Sequence, residues 1–158
     1  MILIALGSNI PGSWGSPRET VERAMRELNR FPLRLIRAST LLITKPFGVL
    51  NQPDFVNAVA LVETALSPES LMVKLHLIER AAGRRRRKRW GARTLDLDLL
   101  VYHGLKRRGA SITLKPLRLP HPGIADRRFV LEPIVEVAPK WRHSESYLTA
   151  AQLLKKLR

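Results

Sequence analysis

The nine residues Thr94 to Tyr102 read Thr-Leu-Asp-Leu-Asp-Leu-Leu-Val-Tyr, and they constrain the fold more than any other segment. Side chains two apart on a strand share a face. Extended, this stretch therefore turns Leu95, Leu97 and Leu99 into a core and projects Asp96 and Asp98 together on the other side. Two adjacent carboxylates repel unless a cation separates them. A hard divalent cation, or a pair of them bridging nucleotide phosphates, resolves that conflict with oxygen ligands. The same pattern also suits an edge strand whose outward positions happen to be acidic.

The surrounding chain has the size for one domain. Its 158 residues, 45% of them hydrophobic, bury a single core and leave no room for two comfortable ones. The expectation is one domain over residues 1–158. No apolar run approaches the roughly 20 residues that span a bilayer, so no membrane partner is expected. Met1 to Leu6 is apolar without a basic leader and reads as a first buried strand, which favours the cytoplasm. With no cysteine, disulfides and thiolate metal sites are excluded.

A net charge of +15 calls for anionic company. Much of it lies in Gly83-Arg84-Arg85-Arg86-Arg87-Lys88-Arg89-Trp90-Gly91, just before the aspartate strand. Such a run is often only a solvated segment. Beside a carboxylate pair it gains a second reading, because arginines clamp phosphoryl groups in transfer. There is no G-x-x-x-x-G-K-[ST] loop, so side chains have to replace a backbone phosphate cradle. The flanking glycines suit a hinged flap in which Trp90 either covers a flat ligand or, as often for a lone tryptophan, anchors packing. The surplus arginines Arg85 and Arg87 are expected to be solvated surface.

Coarse element signals are clear in several places. Ser16-Pro17-Arg18-Glu19 and Ser67-Pro68-Glu69-Ser70 are helix starts, with a serine cap and proline at the first helical position. Apolar residues at three-to-four spacing follow each, ending at Pro32 and Gly83. Leu33 to Ile43 alternates as one half-buried strand, Phe55 to Val62 is another, and Leu114 to Leu119 is a short one. Helices are expected at Arg128 to Val137 and Leu148 to Leu157. The order β-α-β-β-α-β predicts an α+β, ferredoxin-like antiparallel sheet with helices packed on it and extra C-terminal elements.

Two weaker constellations accompany the aspartates. Phe55 and Asn57 share a strand face, where a ring stacks on a flat heterocycle and an amide reads its edge, though Phe55 alone also suits a core. His121, held between Pro120 and Pro122, can donate to a phosphate or be an ordinary loop histidine.

Taken together, Ala5-Leu6-Gly7-Ser8-Asn9, Gln52-Pro53-Asp54-Phe55-Val56-Asn57-Ala58, Arg89-Trp90-Gly91-Ala92-Arg93-Thr94-Leu95-Asp96-Leu97-Asp98, Leu119-Pro120-His121-Pro122 and Arg127-Arg128-Phe129 resemble the hydroxymethyl-dihydropterin pyrophosphokinases. The likeness covers nearly the whole chain in order. It implies transfer of the terminal pyrophosphate of ATP to the hydroxymethyl group of a reduced pterin, with release of AMP, in folate biosynthesis. It implies two Mg2+ ions on Asp96 and Asp98. It places the pterin between Phe55 and Phe129, read by Asn57 and Thr44 and covered by Trp90. Glu79, Arg84, Arg89, His121 and Arg127 match positions around ATP, with Arg84 and Arg93 acting during transfer. A monomer working on these two small molecules is expected. The flap is more basic than the usual glycine-arginine-x-arginine pattern of that family.

Other readings fit less well. A basic RNA-binding module of the same element order is the alternative function. Its base-stacking run [KR]-G-[FY]-[GA]-F-V-x-[FY] is absent, so nucleic acid is not expected as a specific partner. In Gly-Ser/Asp-x-Asp nucleotidyltransferases a short helix separates the two motifs, whereas Gly7-Ser8 lies far upstream of Asp96.

Overall fold

The apolar run at the N-terminus becomes β1 (Ile2–Ser8), and it is central because both of its faces are apolar. Ile2, Leu3 and Ile4 are each fully buried. The computed structural model describes residues 1–84, 91–108 and 117–157. Strands β2 (Leu33–Ala38), β3 (Leu42–Thr44), β4 (Phe55–Thr64) and β5 (Asp96–Tyr102) join β1 in one sheet, with spatial order β2-β4-β1-β5 and β3 beside β4. Every pairing is antiparallel. A two-residue ribbon, β6 (Arg107–Arg108) with β7 (Arg118–Leu119), lies outside it.

Helices α1 (Pro17–Glu27) and α2 (Pro68–Ala81) start where serine and proline indicate. Ser16 Oγ accepts the Glu19 N–H while the Glu19 carboxylate accepts the Ser16 N–H, a closed capping box. Val21, Ala24 and Met25 of α1 and Leu71, Leu75 and Ile78 of α2 pack on one sheet face with Ile2, Ile4, Leu6, Leu97 and Leu99. The opposite face carries Leu3, Val59 and Leu100 and is covered by α3 (Arg128–Val137) and α4 (Ala150–Lys156). The C-terminal elements thus form a third layer, and the sheet is buried on both sides.

The expected strand from Leu33 to Ile43 is two strands. Its register slips between Leu35 and Arg37. Ser39 then turns inward, donating its N–H to Val59 O and accepting the Val59 N–H at Oγ, each at 2.9 Å. A buried hydroxyl thus replaces ladder bonds and restarts the strand at Leu42. The last helix begins at Ala150, where Thr149 forms a second capping box with Gln152. Of the strand expected over Leu114 to Leu119, the part before Leu117 lies outside the described residues, as do Arg89 and Trp90 of the basic flap.

Candidate active site

Three strands build the floor of a cleft of about 480 Å³. The β1 sequence alternates bulky residues on one face with Leu3, Ala5 and Gly7 on the other, so its side chains shrink toward the exit. In register, Gly7 lies opposite Asn57 on one side and Asp96 on the other, and Ala5 lies opposite Asp98. Asn57 and Asp96 therefore stand two interstrand spacings apart, roughly 10 Å, across a floor with no side chain. A Cβ on Gly7 would come within 3.1 Å of Asn57 Oδ1 and 3.8 Å of the Phe55 ring.

The end beside β4 suits a flat heterocycle. Asn57 is 7% exposed, and its Nδ2 donates to Thr44 Oγ1 at 2.6 Å, which holds the amide in one orientation. Phe55 and Phe129 both line the cleft, the first from β4 and the second from the opening turn of α3. Lys45 and Phe47 line it from the loop after β3, and sequence reasoning assigned neither a role.

Charged groups gather at the other end. Asp96 and Asp98 line the cleft with Arg93, His121 and Arg127. Arg84 Nη1 lies 2.8 Å and Arg93 Nη1 3.1 Å from the same oxygen, Asp96 Oδ1. Arg84 and its partner Glu79 do not line the cleft; their side chains are 8% and 5% exposed. Glu79 is a buried hub. Its Oε1 pairs with Arg84 and accepts the Leu97 N–H at 2.8 Å, while Oε2 lies 3.3 Å from His76 Nδ1. In this arrangement Glu79 braces the aspartate strand from below.

His121 is placed through its backbone, whose N–H donates to Leu100 O at 2.8 Å. Its Nδ1 accepts the Gly123 N–H at 3.0 Å, so the neutral ring carries its proton on Nε2, the tautomer that donates to an anion. Arg127 precedes α3 as its N-cap, and the first turn of that helix holds no acidic residue. The positive end of the helix dipole thus adds to the guanidinium. Arg127 Cζ is 5.9 Å from the Phe47 ring centre.

Asn9, part of the first motif block but given no role there, is a further organiser. Only 2% exposed, it donates its N–H to Arg93 O and accepts the Arg93 N–H at Oδ1, while its Nδ2 donates to Gln52 Oε1 and Pro53 O. One buried amide thereby fixes the backbone of Arg93 and the loop before Phe55. The signal for it was its place directly after Gly7-Ser8, where a strand exits.

Among the described residues, no three or more His, Cys, Asp or Glu side chains cluster in a way that would hold a metal without other ligands. Asp96 and Asp98 nevertheless suit Mg2+, which is commonly bound through one or two carboxylates with water and substrate phosphates completing the shell.

The chain as a whole is similar to known proteins of one family. A family model described as 7,8-dihydro-6-hydroxymethylpterin-pyrophosphokinase (HPPK) matches residues 3–139. The chain is 40% identical over 142 residues to a Pseudomonas aeruginosa protein named 2-amino-4-hydroxy-6-hydroxymethyldihydropteridine pyrophosphokinase, covering 89% of this chain and 82% of that one. A Haemophilus influenzae protein of the same name is 40% identical over 136 residues, covering 85% and 79%. A crystal structure described as HPPK-DHPS in complex with substrates superposes with a TM-score of 0.70 at 13% identity. It covers 98% of this chain and 43% of that longer one, and supports the fold alone.

Proposed function

The chain belongs to the 7,8-dihydro-6-hydroxymethylpterin-pyrophosphokinase family, and on that premise we propose how its residues divide the reaction. It is an enzyme that transfers a pyrophosphoryl group to hydroxymethyldihydropterin in folate biosynthesis, with ATP as co-substrate. No helix among the described residues is long and apolar enough to cross a membrane. The observation that carries the assignment of residues is the row Asn57–Gly7–Asp96. It joins an oriented amide, an open floor and a carboxylate across adjacent strands.

The pterin lies on that floor between the rings of Phe55 and Phe129, with Asn57, oriented by Thr44, reading its edge. Its hydroxymethyl group then points along the sheet toward Asp96 and Asp98. Asp96 and Asp98 would hold the Mg2+ ions, two on the family resemblance, and these would supply charge neutralisation at the phosphates. The hydroxyl oxygen forms a bond to the β-phosphorus and gives up its proton to solvent water, the bond from that phosphorus to the α-phosphate bridging oxygen breaks, and AMP leaves with the electron pair. Such displacement needs alignment and cations rather than a covalent nucleophile.

His121, through Nε2–H, and Arg127 bind the ATP phosphates. Arg93, which lines the cleft, takes the charge that builds up during transfer, and Arg84 acts from behind it through its pair with Asp96, with Glu79 setting both. Arg89 and Trp90 are assigned to ATP and to covering the pterin from the family pattern. The strand order agrees with a ferredoxin-like core, and we extend the reading to one domain acting as a cytoplasmic monomer.

The test is AMP release from ATP with hydroxymethyldihydropterin and Mg2+. AMP formation that needs both the pterin and the metal supports the proposal, and its absence from folded protein overturns it.

A further inference from the structure

Gly123 stands between His121 and Arg127 in the loop leading to α3, and it touches both. Its N–H donates to His121 Nδ1 at 3.0 Å. A Cβ built on it would stand 2.7 Å from Arg127 Cζ, 2.8 Å from Nε and 3.2 Å from Nη1. The guanidinium therefore packs where every other residue type has a carbon. Conformation does not explain this glycine, because it is absent from the positive-φ glycines, Gly15, Gly48, Gly83 and Gly104. Space does.

We propose that Gly123 is a positioning residue of the transfer reaction. Its missing side chain admits the Arg127 guanidinium to the phosphate end of the cleft, while its N–H keeps the His121 proton on Nε2. Both groups are thus set by one backbone position. The inference rests on the assignment of His121 and Arg127 to the ATP phosphates.

The atoms that an added Cβ would meet are the far end of a flexible side chain. Gly123→Ala therefore displaces the guanidinium rather than the fold. Alanine also suits a backbone without positive φ, so stability holds or rises slightly because the unfolded chain loses freedom. The experiment measures KM for ATP, KM for the pterin and thermal midpoint in Gly123→Ala, Arg127→Ala and the double variant.

Gly123→Ala is expected to raise KM for ATP about tenfold, the effect of losing one charged hydrogen bond to phosphate. The pterin KM and the melting midpoint should hold, and the substitution should add nothing in the Arg127→Ala background. An unchanged ATP KM in Gly123→Ala, with a raised one in Arg127→Ala, overturns the role of Gly123 and leaves that of Arg127 standing. A persisting effect in the double variant overturns it as well. An Arg127→Ala variant with normal ATP KM removes the assignment beneath both.

Discussion

The Glu79 carboxylate, projecting from α2, accepts the Leu97 backbone N–H at 2.8 Å, midway between the two aspartates of β5. Among the described residues, β5 ends the sheet path and has β1 as its strand partner. Glu79 therefore satisfies an edge N–H and blocks that edge, while its charge holds Arg84 against Asp96.

Removing the carboxylate is expected to strip the buried Arg84 of a partner and leave the Leu97 N–H unpaired. Glu79→Ala should lose about 3–5 kcal/mol of stability, a fall in melting midpoint on the order of 10 °C. Glu79→Gln keeps the acceptor for Leu97 and should fall in between. Thermal melts of the two variants decide this, and equal midpoints would show that the backbone contact contributes nothing.

Asp96→Asn and Asp98→Asn should each reduce AMP formation by about a hundredfold or more, since each removes charge from the proposed metal site. Titrating Mg2+ separates the outcomes: a shifted metal requirement assigns the carboxylates to the metal. An unchanged requirement with lower turnover would move them to another role.

Gly7→Ala places a methyl group into the floor beside Asn57 and Phe55. Overpacking of this kind costs about 1–3 kcal/mol, so KM for the pterin should rise roughly tenfold while KM for ATP holds. Equilibrium binding of the pterin alone checks it. Equal loss of both substrates would mean the floor is not specific to the heterocycle.

Acid sensitivity should appear at the first helix. The Ser16 backbone N–H, then its hydroxyl, hold the Glu19 carboxyl below its ordinary pKa of 4.5. A group with a lowered folded pKa stabilises the fold above its unfolded pKa and loses that contribution as pH falls through the folded one. Between pH 7 and pH 3 the wild type should therefore lose slightly more melting temperature than Glu19→Gln, whose amide does not titrate. Parallel losses would remove the capping box from the acid response.

Legibility in the sequence followed the range of the interaction. The caps at Ser16 and Ser67 were readable because each closes within three residues of its own helix. The alternation of Asp96 and Asp98 was readable because a strand has period two whatever lies beside it. The break at Ser39 was not, because its partner is the backbone of Val59, twenty residues on. Glu79 was legible as a family position, but its geometry was not, since Leu97 and Asp96 reach it only once α2 packs on the sheet.

By itself the sequence determined the helix starts at Ser16 and Ser67, the paired carboxylates on one face, and the surplus of cations that suits a phosphate-rich ligand. These are properties of local spacing and charge, which survive any arrangement of the rest. Tertiary structure alone decided that Gly7 separates Asn57 from Asp96, that Asn9 holds Arg93, and that Gly123 gives Arg127 its room. Each of those contacts joins residues brought together by strand register or loop packing, and no periodicity along the chain encodes such a distance.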